Sequence, residues 1–305
     1  MALTFQSTSP LGIPQILCQS ILLFLKAGQL LLPIFLLSVL SSSILFSFYY
    51  SIAPIPLDLA DKISILLKET KHRPPNLLPS IVNDLKSFSA FASVIALFSF
   101  LSSLFLSLSS IHTFAAAYTD TDLTPNGLLH RIARRWYETM VTRLYAVFLA
   151  VGIALLSSFA IASVALVSLP YSIFLAFHVT FLYLYLSTRW RMSLVIATVE
   201  ETWGIGALSW AVNLCLGNKK RGVALTAMMV TMKVAIYGAL LIGLLMASDP
   251  TKQTWMGCVV AVVDAAWNLY TMAVYTVFYY ECRKSHGLDI IGSSVVLVRV
   301  NAVAY

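Results

Sequence analysis

The sequence predicts an all-α, polytopic membrane protein with about six transmembrane helices plus interfacial amphipathic helices. Composition points there first: 59% of the residues are hydrophobic and only 11% are charged, against roughly a quarter charged in soluble domains. A mean hydropathy of +0.84 would leave a soluble fold too little polar surface to face water, whereas lipid accepts apolar surface at no cost. The third observation is the pattern itself. Apolar runs recur along the chain, each close to the roughly 20 helical residues that a hydrocarbon core requires.

Taken in order, the chain opens with a Ser/Thr-rich segment that has no charged side chain before Lys26, so it lacks the basic region of a secretory signal peptide. Over 14–26, Gln15, Gln19 and Lys26 recur at helical spacing among Ile16, Leu17, Ile21, Phe24 and Leu25. That pattern describes either an interfacial helix or an extension of the first span. The spans follow near 30–53, 88–118, 144–167, 171–188, 223–247 and 255–280, with a polar connector over 189–222. All belong to a single integral membrane domain. Pro33 is placed in the first turn of its span, and Pro170 at the start of the fourth, where a missing N–H is harmless.

Between the first two spans, residues 56–70 have Leu59, Ile63, Leu66 and Leu67 on one helical face, and Pro74, Pro75 and Pro79 follow as breakers. The next loop opens with TDTDLTP, a helix-capping sequence. It continues as a basic amphipathic helix carrying Leu128, Leu129, Ile132, Trp136 and Met140 on one side. Such a helix suits an anionic membrane surface.

Orientation comes from Lys and Arg, which stay cytoplasmic when they flank spans. Lys26, the four arginines of 131–143, the five basic residues of the connector, and Arg283, Lys284 and Arg299 fall on one side. Lys62, Lys68, Lys71, Arg73, Lys86 and Lys252 fall on the other, which makes 13 against 6. Both termini and the connector are therefore predicted to be cytoplasmic, in the endoplasmic reticulum or the plasma membrane. The net charge of +7 is spread over loops beside apolar runs rather than gathered into an arm, which excludes a nucleic-acid partner. The expected partners are the lipid bilayer, including anionic lipids, and other proteins or further copies of the chain.

No pattern calls for a cofactor or a metal. Cys18, Cys215, Cys258 and Cys282 have no ligand spacing, and there is no HExxH. Glu200-Glu201 could open an EExxxR metalloprotease motif, but Ile205 stands at the arginine position. The pair is expected instead at the start of an interfacial helix, answering Arg189, Arg191 or Lys219. Lys233 and Asp264 are the two charges that hydropathy places inside spans, at depths differing by about 6 Å along their helices. An ion pair between helices and a polar transport path are the two readings of them, with Asn268 one turn after Asp264. His178, among aromatic residues, reads as a satisfied interior group. The tyrosines 270, 275, 279 and 280 read as packing and interface anchors. The serines 102, 103, 107, 109 and 110 would let the second span approach a neighbour closely.

The connector also carries a resemblance. Val199-Glu200-Glu201, then Gly204 and Ile205, Ala207-Leu208-Ser209-Trp210, Leu214 and Gly217-Asn218-Lys219-Lys220-Arg221-Gly222 together resemble the cytoplasmic connector of plant six-span transmembrane proteins and, distantly, of the bacterial YciC-like membrane proteins. The resemblance implies an architecture and no settled activity. The expected function is accordingly non-enzymatic: membrane organisation or partner scaffolding through the cytoplasmic amphipathic connectors. A small transporter or channel using polar groups of spans five and six is the alternative.

Overall fold

The computed structural model describes residues 12–52, 58, 62, 64, 77–121, 123–200, 202–246 and 249–287. Among these the chain is all helix: α1 (Ile13–Lys26), α2 (Gly28–Ile52), α3 (Leu77–Tyr118), α4 (Pro125–Val167), α5 (Leu169–Val199), α6 (Ile205–Leu214), α7 (Lys219–Met246) and α8 (Pro250–Ser285). Six of them, α2, α3, α4, α5, α7 and α8, are long and apolar enough to cross a membrane. The protein is thus an all-α, multi-pass membrane protein.

Most boundaries move outward from the apolar cores, for local reasons. The basic amphipathic stretch and the third span form one helix, α4, because no Gly or Pro interrupts the chain between Arg131 and Leu144. Thr124 caps α4, its side chain accepting from the Gly127 N–H at 3.2 Å, and Pro125 occupies the first turn, as the sequence predicts. Pro79 lies near the start of α3 instead of ending a helix, and Pro33 lies inside α2 rather than in its first turn. α1 is a separate helix that buries Ile16, Ser20 and Leu23 while Ile21, Leu22 and Leu25 stay exposed. Of the predicted helix over 56–70, Asp58, Lys62 and Ser64 are helical and the rest lies outside the described residues.

The chain divides into two compact units, and α2, α3, α7 and α8 each contribute to both. The first comprises 1–34, 107–239 and 267–305. Its core is built from Ile111 and Phe114 of α3, Met192, Val195 and Ile196 of α5, Ala207 and Ala211 of α6, Leu225 of α7, and Val274, Val277 and Tyr279 of α8. The second comprises 35–106 and 240–266. Glycine permits close contact there: a Cβ on Gly257 would collide with the Phe46 ring, and one on Gly243 with Met256. Also in this unit, Lys62 bridges Asp58 at 2.6 Å and Asp84 at 2.7 Å, and hydrogen bonds to the two carboxylates raise its pKa.

Candidate functional site: a buried polar cluster around the connector

The predicted connector contains less loop than its polarity suggests. α5 runs on to Val199, and every residue from Met192 to Thr198 is buried, because this apolar stretch continues the helix into the core of the first unit. Glu200 consequently caps the C-terminus of α5. It does not open an interfacial helix, and its bonding partners differ from the basic residues expected for it. A carboxylate at a helix C-terminus meets the negative end of the dipole, so it needs compensation. Two elements distant in sequence supply it. Arg135 of α4 donates from Nη1 to the Glu200 carbonyl at 2.8 Å, and the Tyr279 hydroxyl of α8 donates to Glu200 Oε1 at 2.5 Å. Arg135 is itself paired with Glu138 at 3.1 Å, and Arg283, one turn after Tyr279, donates to the same hydroxyl at 3.2 Å. Glu201 lies outside the described residues.

Gly204 then reverses the chain into α6 with φ +62° and ψ −131°, a region that essentially only glycine occupies. Its N–H donates to Thr142 Oγ1 of α4 at 2.8 Å, which ties the connector to that helix. α6 buries Ala207, Ala211 and Leu214. Gly217, at φ +92°, turns the chain toward α7, which begins at Lys219. Lys219 and Lys220 are exposed and Arg221 is half-buried. Asn218 donates from Nδ2 to Ser285 Oγ at 2.9 Å, so the start of α7 meets the end of α8. Cys215 is buried beside them, and burial pushes its thiol up to about 11.

A hydroxyl chain joins the three long helices behind the connector. Thr226 of α7 lies 2.7 Å from both Thr188 of α5 and the Tyr275 hydroxyl of α8, while the Arg191 guanidinium sits 5.3 Å from the Tyr275 ring centre. Gly222 permits that closeness, since a Cβ there would stand 2.9 Å from Thr188 Cγ2 and 3.2 Å from Phe278. Ser107, the described start of α3 in this unit, accepts from Arg143 Nη1 at 3.2 Å, and Tyr118 stacks on Tyr280 with centroids 4.3 Å apart. Five buried polar atoms have no hydrogen-bond partner among the described residues: Gln19 Oε1, His112 Nε2, Thr202 Oγ1, Trp210 Nε1 and Arg283 Nε. All belong to the first unit. Among the described residues no group of three or more metal-ligating side chains occurs.

A family model described as Domain of unknown function (DUF8558) matches residues 1–296. The chain belongs to the DUF8558 family. No curated protein and no solved structure matches it.

The remaining predicted positions of this DUF8558 chain lie in the following surroundings. Lys233 belongs to the first unit, its Nζ 5.3 Å from the ring centre of Tyr237 one turn on; Asp264 belongs to the second, its Oδ2 accepting from Ser42 Oγ at 3.4 Å. Asn268 is exposed. His178 is exposed too, not interior, and bonds through Nδ1 to the Phe174 carbonyl of its own helix at 2.9 Å. Sequence reasoning missed Arg135, His112, Tyr279 and Arg283. The available signal was the Tyr279 and Arg283 spacing of four, which puts a hydroxyl and a cation on one face of the helix.

Proposed function

We propose that this DUF8558 protein organises membrane or scaffolds partners, performs no reaction of its own, and presents its connector and both termini to the cytoplasm from the endoplasmic reticulum or the plasma membrane. One observation carries the reading. The polar connector is folded into the interior of the first unit, held by Arg135, Thr142 and Tyr279, while nearby aromatic groups face outward: Trp136 is 48%, Tyr137 56% and Trp203 52% exposed. A rigid interior with an aromatic and basic exterior, including Arg131 and Arg134, is suited to holding a fixed surface at an anionic headgroup boundary. The resemblance of the connector, over Val199 to Gly222, to plant six-span and YciC-like proteins bears on the architecture and not on the role. The test uses cells lacking the protein, complemented with the parent or with the triple variant Trp136→Ser, Tyr137→Ser, Trp203→Ser. The triple variant is expected to insert and accumulate normally yet fail to restore membrane morphology and partner recovery. Full complementation by the triple variant would sink the proposal.

A further inference from the structure

Arg283 poses a charge problem that its described neighbours do not solve. It is 7% exposed, and a guanidinium cannot escape burial by losing its proton. Its Nη1 is spent on the Tyr279 hydroxyl at 3.2 Å, and Nε has no hydrogen-bond partner among the described residues. The carboxylate that the structure links to it, Glu200, is reached only through that hydroxyl. A buried cation without a direct counter-ion is costly. The other orphaned atoms of the unit lean the same way. Trp210 Nε1, like Arg283 Nε, can only donate; Thr202 Oγ1 and His112 Nε2 can donate or accept, and Gln19 Oε1 alone is limited to accepting. Among these orphaned atoms two can only donate and one can only accept, and one of the two donors is charged.

We propose that Arg283 is the anchor of a phosphate-binding site. A guanidinium has the fork geometry that pairs with two oxygens of one phosphate, and the Nε of this one is the donor left without a partner among the described residues. The Tyr279 hydroxyl, itself bonded to Glu200, accepts from Nη1 and holds the guanidinium in place, so Tyr279 is a positioning residue. The phosphate belongs either to the headgroup of an anionic lipid or to a free phosphorylated solute, and both present the same oxygens to the fork. The inference stands apart from the organising role above, since a bound phosphate is compatible with a protein that organises nothing.

The experiment uses the purified, delipidated full chain in detergent. Thermal stability is followed during titration with inorganic phosphate, with dioctanoyl phosphatidic acid and with dioctanoyl phosphatidylcholine. The parent is expected to show a saturable rise in Tm with phosphatidic acid and none with phosphatidylcholine. A matching response to inorganic phosphate would assign the site to free phosphate, and its absence to the lipid. Arg283→Gln and Arg283→Lys should each weaken binding by about tenfold, the scale of one lost charge-assisted contact. Lys86→Gln, at an exposed position, should change it less than about twofold. Arg283→Lys retains the charge and loses the fork, so it carries the test if the glutamine variant does not fold. The proposal is overturned if neither phosphate nor phosphatidic acid shifts the parent. It is equally overturned if Arg283→Lys binds as tightly as the parent, or if Lys86→Gln weakens binding as much as the Arg283 variants do.

Discussion

Removing one hydroxyl from the centre of the first unit is the most direct test of how that unit is held together. In Tyr279→Phe the ring remains and two hydrogen bonds vanish: the donation to Glu200 at 2.5 Å and the acceptance from Arg283 at 3.2 Å. Tyr279 is fully buried, so water cannot replace either bond. Hydrogen bonds to charged groups contribute about 1.5 to 3 kcal/mol each in soluble proteins, but side-chain pairs measured in membrane proteins average about 0.6 and reach about 1.7 kcal/mol. Two such bonds bracket the loss between about 1 and about 3 kcal/mol, and the charge on both partners places it in the upper half. The expected cost is therefore about 2 kcal/mol. It would be read from equilibrium unfolding of the detergent-solubilised protein by a denaturing surfactant, with Tyr183→Phe, at an exposed site, as the near-neutral control. A double-mutant cycle with Glu200→Gln should show coupling of about 1 kcal/mol, because Glu200→Gln strips the charge from the acceptor of the bond that Tyr279→Phe removes. A Tyr279→Phe variant within about 0.5 kcal/mol of the parent, or one that adds independently to Glu200→Gln, would refute the claim that this hydroxyl joins connector to helix.

Gly222→Ala should lower stability by about 1 to 3 kcal/mol through overpacking, since its Cβ would stand 2.9 Å from Thr188 Cγ2; Gly238→Ala, with open space around it, should be harmless in the same thermal assay. Cys215, whose thiol is pushed from 9.0 up to about 11 by burial, stays protonated in the folded state while the unfolded thiol ionises. Its contribution is therefore complete below about pH 9 and is lost as pH rises toward about 11, so Cys215→Ala should lose less Tm than the parent between pH 8 and 10; an equal loss would contradict this. For topology, Cys282 cannot report because it is 1% exposed. Cysteines introduced at Asn76 and Arg134 replace it: an impermeant maleimide on intact plasma-membrane-directed cells should label the first and spare the second, and the reverse pattern would invert the orientation.

The six spans were legible because hydropathy is a summed, local property, and each run needs no knowledge of its neighbours. Helix ends were less so. Thr124 and Pro125 mark where the helix begins and the lack of Gly or Pro between Arg131 and Leu144 permits it to continue, but the change from amphipathic to apolar pattern hides that segment and span are one helix. The cluster around Glu200 was hidden for a different reason. Its partners lie 65 and 79 residues away, and a single sequence carries no sign that Arg135, Glu200 and Tyr279 meet. Glu200 drew notice only as part of an acidic pair, and a pair of glutamates reads equally well as the start of a helix or the end of one. The structure resolves that ambiguity because the apolar stretch before it is buried on all sides.

The chain's hydroxyls fall into two kinds, and the division indicates where pairing between helices is specified. Many of them bond back to the carbonyl one turn earlier on their own helix, as Ser43 does to Val39, Ser47 to Ser43, Thr180 to Ala176 and Thr231 to Ala227. A hydroxyl satisfied in this way can face lipid without an unpaired donor, and it carries no information about which helix lies beside it. Others reach across, and of these Thr142, Thr188 and Thr226 keep the bond to their own helix as well. Thr226 meets Thr188 and Tyr275, Thr142 receives the Gly204 N–H, Tyr279 binds Glu200, and in the second unit Ser42 binds Asp264. Inside a membrane, apolar packing distinguishes one helix from another only weakly, since lipid tails are as apolar as leucine. Cross-helix polar bonds therefore select the partner. Most of those named here belong to the first unit and involve the connector or the helices that contact it, so substitutions there should disturb the arrangement of helices, while the self-bonded serines and threonines should tolerate alanine.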